Sequence, residues 1–473
     1  MKHVYTIFDN NILFFLLFFE RGTYMQKKEG KLKQNITLIE AIGFCVAQVI
    51  GTGIFMKPTT VLKASGSTGM AILMWIFAGL ITMCTALTLA EVASYKASLG
   101  GMTAYVTQYN GKKIGFLSGW FFAILNDPGT LAANSIATAT FLSGIISMND
   151  TQLRICAFII IIVLCSSQMI SVQGTMRTQL VGALLQAVPL LLVIILGIFK
   201  GGMPTNINFS LIGNPNSPGV KFGIALLGAM WVYDGWQATA NLGEEMSNPQ
   251  RDFPKALFLS MSFLIIIFVL FNMVGFNVIS TKTIMISKES FGSNFGQSLM
   301  GNTGRYIMAI LMVICSLFTL NAEVVQATRD MLYQARCNNL PGSKWIRHID
   351  PKFNTPIHSI MTSGTLALIL MLTGTFESIS LMTMFFTWVF TLFALYDAFK
   401  LRHQKELKRT FNTPLYPIVP LIGIGGAAFM LISSVLSDPK WFVIGIIVIL
   451  AGIPISFLSH KYLYPNEKTM DEF

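Results

Sequence analysis

Apolar residues are gathered into long blocks along the chain, and short polar or charged segments separate the blocks. Most blocks are long enough to cross a bilayer as a helix, which takes about 20 predominantly apolar residues. The pattern predicts an all-α polytopic membrane protein with twelve transmembrane helices. The predicted spans are residues 36–62, 69–95, 114–146, 153–173, 178–199, 219–243, 254–279, 304–333, 356–374, 378–399, 416–436 and 441–461.

Charged residues are scarce and unevenly distributed. The chain is 53% hydrophobic and only 12% charged, whereas soluble domains carry roughly 25% charged residues. Lys and Arg are concentrated in the segments that lie on the same side as the N-terminus, which predicts that both termini are cytoplasmic in the plasma membrane. The net charge of +11 is therefore read as an orientation signal, and no nucleic-acid partner is expected.

The two ends of the chain are predicted to lie outside the bilayer. Residues 1–35 form a cytoplasmic leader, in which the apolar run from Asn11 to Phe19 is too short to span the membrane. Met25 opens a basic, polar stretch, so translation is expected to start there. Residues 462–473 form a short cytoplasmic tail.

The first predicted span contains two glycines one residue apart, Gly51 and Gly53. Each glycine costs about 1 kcal/mol relative to alanine in a helix, and backbone groups freed at membrane depth need partners. We expect a break here, with Ile54 at the start of a half-helix whose free N–H groups and positive dipole end suit a carboxylate. Close helix packing through small residues is the alternative explanation.

A second candidate break lies in the sixth span, where Asp234 and Gly235 stand among aromatic residues. Because the two breaks are five spans apart, the broken elements run in opposite directions. This is the pattern of an inverted repeat with a binding site between two discontinuous helices. We predict repeats over residues 36–200 and 219–400, followed by two extra helices over residues 416–461.

Motifs for catalysis or metal binding are missing from the sequence. The six cysteines form neither a disulfide framework nor a metal-binding spacing, and no HExxH or Walker A pattern occurs. We therefore expect no cofactor, no metal and no enzymatic activity. A sensor that binds a nutrient without transporting it is a further alternative, which the short C-terminal tail disfavours.

Several short motifs occur in a characteristic order and spacing. They are Gly51-Thr52-Gly53-Ile54-Phe55, Ala90-Glu91-Val92, Gly100-Gly101-Met102, Tyr233-Asp234-Gly235-Trp236 and Glu244-Glu245-Met246-x-Asn248-Pro249. Together they resemble the amino acid/polyamine/organocation permeases, and the L-type amino-acid transporter branch with its bacterial serine/threonine exchangers in particular. The resemblance covers roughly residues 36–465. It implies a five-plus-five inverted repeat with two extra helices, and exchange of amino acids or related amines.

The resemblance also implies where a substrate would bind. Its carboxylate is expected to meet the backbone N–H groups of Thr52, Gly53 and Ile54, next to Gly51. Its ammonium group is expected to meet carbonyl groups of both broken helices, and an aromatic residue before the second break would close over it. The residues assigned in this way are Ala47, Gln48, Ile50, Trp231, Val232 and Asp234, with Tyr233 and Gly235 in the same break and Trp231 as the closing aromatic.

Two positions depart from the family pattern. Gln186 stands where members often carry a lysine. A neutral amide cannot gain or lose a charge, which argues against a lysine-dependent coupling step. Gln186 is kept as a candidate coupling or gating residue, and its replacement is expected to alter transport only modestly. The loop of residues 147–152 lacks the cysteine through which animal members bind a heavy chain, so no disulfide-linked partner is expected.

The third departure from the family pattern is the presence of acidic residues inside apolar spans. Asp127 follows Asn126 in span 3, and Glu323 lies in span 8. A carboxylate at a helix centre costs roughly 2.5–3.5 kcal/mol and is functional by default. We favour a cationic amino acid or diamine as substrate, and Trp231 suits a cation as well. Proton coupling, in which Glu323 is a candidate, and purely structural roles remain alternatives, and the latter make the chain a neutral, serine/threonine-type exchanger.

Overall fold

The computed structural model describes residues 36–95, 101–170, 172–201, 207–209, 222–243, 245–286, 290–353, 355–374, 376–403, 410–437 and 439–458. The predicted leader with its Met25 start, and the predicted tail, lie outside these residues. The described residues are predominantly helical, with two isolated β-bridges.

The helices follow one another along the chain with short connections. They are α1 (Leu38–Val49), α2 (Gly53–Ser65), α3 (Thr68–Tyr95), α4 (Gly101–Asn110), α5 (Lys112–Trp120), α6 (Asp127–Ser143), α7 (Asp150–Ile170), α8 (Val172–Gly201), α9 (Phe222–Val232), α10 (Pro249–Val278), α11 (Thr281–Ile286), α12 (Phe291–Arg336), α13 (Ser343–Ile346), α14 (Ile357–Thr373), α15 (Phe376–Arg402), α16 (Ile418–Ser437) and α17 (Pro439–Leu458). A π-helical turn, Phe121–Asn126, joins α5 to α6, and a 3₁₀-helix, Trp236–Leu242, follows α9.

Each predicted span coincides with one of these helices or with consecutive ones. Among the described residues, six helices are long and apolar enough to cross a membrane, and the bent pair α1–α2 makes a seventh. The remaining predicted spans correspond to α5 through α6, to α9 with its 3₁₀-helix, and to the shorter apolar helices α14, α16 and α17. The all-α polytopic membrane fold is confirmed.

The first break lies where the glycine pair predicts it. Helix α1 begins with a capping box between Thr37 and Glu40 and ends at Val49. Helix α2 begins at Gly53 after a bend of 50°. Thr52 precedes α2 but makes no side-chain cap bond to it, so the N–H groups in the first turn of α2 have no partner from a capping side chain.

The second break lies opposite the first, and the two broken elements run antiparallel. Helix α9 ends at Val232, and Gly235 adopts φ of 101°, a conformation that favours glycine. The chain continues as a 3₁₀-helix, which is tighter than an α-helix. Helix α1 packs on this 3₁₀-helix, while α2 packs on α9. The two breaks therefore meet at one level of the molecule.

The third span is one continuous helix, as the sequence predicts, despite its Asn-Asp-Pro-Gly segment. The π-helical turn Phe121–Asn126 precedes Asp127, and Pro128 follows as the second residue of α6. Because the helix continues through this point, Pro128 removes one backbone donor to the preceding turn. A π-helical turn shifts the register of the side chains that follow it, and such turns are frequent at functional sites.

A cluster of contacts ties the ends of three spans together. Ile36 pairs with Met246 through backbone bonds from Ile36 N to Glu245 O and from Ser247 N to Ile36 O. The Glu245 carboxylate accepts a hydrogen bond from Arg329 Nε at 2.7 Å, and both side chains are buried. The segment before α1 and the segment after the 3₁₀-helix are thereby fixed to α12.

Candidate functional site

A cavity of about 90 Å³ lies where the two breaks meet. This volume is several times the minimum that one water molecule needs. The cavity is therefore a compact site for a small molecule. Its walls come from α1, α2, α6, α9, α12 and α15, together with the two breaks. The lining residues are Gln48, Val49, Gly51, Thr52, Gly53, Phe122, Asn126, Asp127, Thr130, Ala133, Asn134, Trp231, Val232, Asp234, Gly235, Gln237, Thr319, Glu323, Gln326, Ser380, Thr383, Met384 and Thr387.

Most residues that the sequence singles out are brought together in this cavity. Both glycines of the first break, both acidic departures and the aromatic residue before the second break contribute to its wall. The predicted residues that line it are Gln48, Gly51, Thr52, Gly53, Asn126, Asp127, Trp231, Val232, Asp234, Gly235 and Glu323. Residues nearly 280 positions apart in sequence thus share one small volume.

Other predicted residues lie outside the lining. Ile54 is fully buried in the core. The Tyr233 ring packs between Trp75 and Phe268, at centroid distances of 6.1 Å and 5.2 Å. Tyr233 thus belongs to the core, whereas its neighbours Val232 and Asp234 line the cavity. The reason is local: the chain turns sharply at the second break, and successive side chains point in different directions.

The carbonyl groups of Ala47 and Ile50 are in contact with donors from α8 and α12. Gln186 Nε2 lies 3.3 Å from Ala47 O, 3.0 Å from Ile50 O and 2.8 Å from Cys315 O. The Thr319 hydroxyl lies 3.2 Å from Ala47 O and 2.9 Å from Ile50 O. These two side chains already satisfy the backbone carbonyls that the first break frees. An ammonium role for Ala47 and Ile50 therefore has no support from this geometry.

Gln186 is consequently a tie between the first break and α12. Its amide also lies 3.1 Å from Thr319 Oγ1, and the residue is fully buried. These contacts predict a larger effect of replacing Gln186 than the sequence alone does, because the amide nitrogen connects α8 to the end of α1 and to α12.

Replacing Gln186 by leucine is expected to lower the uptake rate about tenfold. The substitution leaves buried carbonyl groups short of a donor, a penalty of about 1–3 kcal/mol. A tenfold lower rate corresponds to about 1.4 kcal/mol of this penalty raising the transport barrier. Initial uptake rates in proteoliposomes, normalised to inserted protein, measure the effect. Gln168→Leu is the matched control, since the Gln168 amide is also buried and bonds to Asn321 of α12 without touching the break. Equal losses in both variants would contradict the assignment.

The first break presents the N-terminus of α2 to the cavity. The Thr52 hydroxyl donates to Asn134 Oδ1 at 2.8 Å instead of capping its own helix. An α-helix N-terminus offers free N–H groups and a partial positive charge, which suit an anion. Gly53 lies against Trp231 and Val232 of the second broken helix. A side chain at position 53 would fill this space, so the glycine leaves the backbone of α2 accessible to a substrate carboxylate.

Asp127 lies at the start of α6 and is almost fully buried. Its Oδ1 accepts hydrogen bonds from Asn126 Nδ2 and Gln326 Nε2, each at 3.0 Å. Its Oδ2 accepts none from the described amide, hydroxyl and basic side chains, and the Asp127 carboxyl group is hydrogen-bonded to that of Asp330. Two buried carboxyl groups in such contact share a proton because they do not readily ionise together, and a positive charge placed against them would favour ionisation of both.

Glu323 lies on α12 and is 5% exposed. Its Oε1 accepts a hydrogen bond from Asn134 Nδ2 at 2.5 Å. Its Oε2 is buried and accepts none from the described residues. A buried carboxylate oxygen without a donor is costly. Glu323 Oε2 would therefore be stabilised by a hydrogen-bond donor or a cation, and no described residue supplies one.

The charge of the lining is one-sided. Asp127, Asp234 and Glu323 contribute carboxyl groups, and the lining contains no Lys, Arg or His among the described residues. The nearby Lys57 lies with its Nζ 5.2 Å from the centre of the Trp231 ring. At the second break, Gln237 braces the chain by donating to Asp234 Oδ1 at 2.7 Å and accepting from Gly235 N at 3.1 Å.

Several lining residues were not predicted from the sequence. Asn134 lies two helical turns from Asp127, and Gln326 lies one turn from Glu323, so each shares a face with a predicted residue. Ser380, Thr383 and Thr387 form a polar stripe at helical spacing on α15, and the Thr387 hydroxyl donates to Asn126 Oδ1 at 2.9 Å. Helical spacing was the available signal for both groups.

Metal binding receives no support from the described residues, since no group of three or more His, Cys, Asp or Glu side chains is placed to hold an ion. The six cysteines are free, and five of them are buried.

Comparison with known proteins identifies relatives over almost the whole chain. The family model for amino acid permeases matches residues 36–458. The serine/threonine exchanger SteT of Bacillus subtilis (strain 168) is 28% identical over 438 residues, which are 92% of this chain and 99% of that protein. The human cystine/glutamate transporter is 24% identical over 439 residues, or 91% and 86% of the two chains. The rabbit (Oryctolagus cuniculus) large neutral amino acids transporter small subunit 2 is 27% identical over 451 residues, or 93% and 83%.

Proposed function

The chain belongs to the amino acid permease family, and from this premise we propose that it exchanges amino acids or related amines across the membrane, with a preference for a substrate that carries a cationic side chain or a second amine. The family and the named relatives are transporters, so the chain is a membrane transporter and not an enzyme. The finer proposal concerns what it carries.

One observation carries the cationic preference: two acidic residues of the cavity lining, Asp127 and Glu323, each keep one buried oxygen that accepts no hydrogen bond from described amide, hydroxyl or basic side chains, Asp127 Oδ2 and Glu323 Oε2. A charged amine or guanidinium is the complement of such oxygens, because charge-assisted hydrogen bonds are shorter and stronger than neutral ones. Trp231 adds an aromatic face to the same cavity, and aromatic faces attract cations. The relatives' names include no cationic substrate, so this preference rests on the site alone.

The remaining groups of an amino acid fit the two breaks. We place its carboxylate against the N-terminus of α2, at Thr52, Gly53 and Ile54. We place its α-ammonium group near Gln48, Trp231, Val232 and Asp234, because Asp234 supplies a carboxylate there. This assignment leaves Asp127 and Glu323 for the distal cationic group.

A neutral amino-acid exchanger is the second candidate, and the similarity to a serine/threonine exchanger favours it. In that case the polar groups of α6 and α15 would receive a hydroxyl, and the two carboxyl groups would have structural roles. The substrates named for the relatives range from serine and threonine to cystine and glutamate, so family membership alone does not select among them.

We place the protein in the plasma membrane with both termini cytoplasmic, on the basis of the Lys and Arg distribution. It is proposed to act without a disulfide-linked heavy chain. The loop between α6 and α7 contains no cysteine. It ends in a cap on α7, in which Asn149 N donates to Gln152 Oε1 at 3.0 Å and Gln152 N donates to Asn149 Oδ1 at 2.8 Å.

Exchange is tested by loading proteoliposomes with one amino acid and measuring uptake of a labelled one. For an exchanger, uptake rises strongly when the lumen contains substrate and stays near background when it is empty. A panel of lysine, arginine, ornithine, diamines, serine and threonine as competitors identifies the substrate class. Uptake that ignores the lumenal contents would contradict exchange, and binding without any uptake would indicate a sensor.

A further inference from the structure

Two amide side chains connect the acidic groups of the cavity to the first broken helix. Asn134 accepts from the Thr52 hydroxyl at 2.8 Å and donates to Glu323 Oε1. Gln326 accepts from Gln48 Nε2 at 2.8 Å and donates to Asp127 Oδ1 at 3.0 Å. We call these the Asn134 relay and the Gln326 relay.

The two relays share one construction. A carboxylate only accepts hydrogen bonds, so the NH₂ group of each amide must face the carboxylate and its oxygen must face the other side. The groups on the other side, the Thr52 hydroxyl and the Gln48 amide nitrogen, are donors. Chemistry therefore fixes the orientation of both amides. Gln48 lies in the last turn of α1 and Thr52 directly precedes α2, so the relays reach the broken helix on either side of its bend.

Each relay occupies one oxygen of its carboxyl group, while the other oxygen is buried in a residue that lines the cavity. Glu323 Oε2 and Asp127 Oδ2 accept no hydrogen bond from described amide, hydroxyl or basic side chains. The amide thereby orients the carboxylate and limits the ways in which it can rotate. Because an amide is a neutral donor, it orients the carboxylate and leaves its negative charge in place. A Lys or Arg partner would cancel that charge.

We propose that Asn134 and Gln326 are positioning residues that set the preference for a cationic substrate, each through its own carboxylate. The proposal rests on the proposed cationic function of the cavity. It assigns a role in selectivity to two residues that bear no charge. The occupant it implies is an ammonium or guanidinium group held against both carboxyl groups.

The test is a double-mutant cycle read on selectivity. We measure the equilibrium affinity for lysine and for norleucine, its uncharged analogue of nearly the same length, and take their ratio. Asn134→Leu keeps the side-chain shape and is expected to lower the lysine-to-norleucine preference about fivefold, the scale of one hydrogen bond. In a Glu323→Gln background, the same substitution is expected to change the preference little further, because the oriented charge is already gone.

The second relay supplies the matched control. Asn134→Leu in an Asp127→Asn background is expected to produce its full fivefold drop, since Asp127 belongs to the other relay. Gln326→Met, which also preserves shape, is expected to behave conversely: silent with Asp127→Asn and effective with Glu323→Gln. It also provides an independent variant if Asn134→Leu fails to fold.

The outcomes separate this inference from the proposed function. A wild-type protein with no preference for lysine overturns both. A wild-type protein that prefers lysine, but in which Asn134→Leu and Glu323→Gln reduce the preference independently, overturns only the relays. An Asn134→Leu protein that loses lysine and norleucine affinity by equal factors has lost structure rather than selectivity, and that result also overturns the positioning role.

Discussion

Gly53→Val is expected to abolish substrate binding and uptake while the protein still inserts and folds. A Cβ atom at position 53 would lie 2.7 Å from Trp231 Cζ3 and 3.1 Å from Val232 Cγ2. Valine would add two further methyl groups between the first break and the second. Overpacking of this kind costs about 1–3 kcal/mol, and here it falls where a carboxylate must approach the backbone of α2.

Equilibrium binding and uptake, normalised to inserted protein, measure this loss. Gly425→Val is the matched control. Gly425 lies on the exposed side of α16, and a Cβ atom there meets no other atom within 4 Å. The control is expected to bind and transport like the wild type. Unchanged binding and uptake by Gly53→Val would show that the first break does not need a glycine at position 53 to admit the substrate carboxylate.

Asp127→Asn and Glu323→Gln are each expected to weaken binding of a cationic substrate about ten- to a hundredfold. A hydrogen bond to a charged group contributes about 1.5–3 kcal/mol, and 1.4 kcal/mol corresponds to tenfold in affinity. A neutral amino acid is expected to bind these variants as well as the wild type or better, because a buried carboxylate no longer has to be desolvated. The amides preserve shape, so loss of packing does not confuse the comparison.

The same two variants distinguish the alternatives. If the carboxyl groups couple transport to protons, equilibrium binding survives in both variants while the pH dependence of uptake disappears for every substrate. If their roles are structural, lysine and norleucine lose affinity by the same factor. Isothermal titration with both ligands, and uptake measured across a pH series, separate these results.

The two breaks could be predicted because their causes are local. Gly51 and Gly53 disfavour a helix whatever surrounds them, and Gly235 supplies the positive φ that the second turn requires. Asp127 and Glu323 were found for a similar reason, since a carboxylate in an apolar span demands an explanation at once.

The relays and the Gln186 tie could not be predicted because they depend on how separate helices are rotated towards each other. A glutamine in a helix is unremarkable by itself. Gln186 acquires its role only when α8 and α12 bring it and Cys315 O to the carbonyls of Ala47 and Ile50. For the same reason, the sequence does not reveal that those two carbonyls already have donors within the protein.

The central claim is that the cavity prefers a cationic group, and the affinity ratio of lysine to norleucine in the purified wild-type protein tests it most directly. The two ligands share a backbone and nearly the same length, and they differ in the charged distal amine. We predict that lysine binds at least about tenfold more tightly, the lower bound for one charge-assisted hydrogen bond. Equal or tighter binding of norleucine, with serine or threonine also bound well, would contradict the claim and make the protein a neutral amino-acid exchanger.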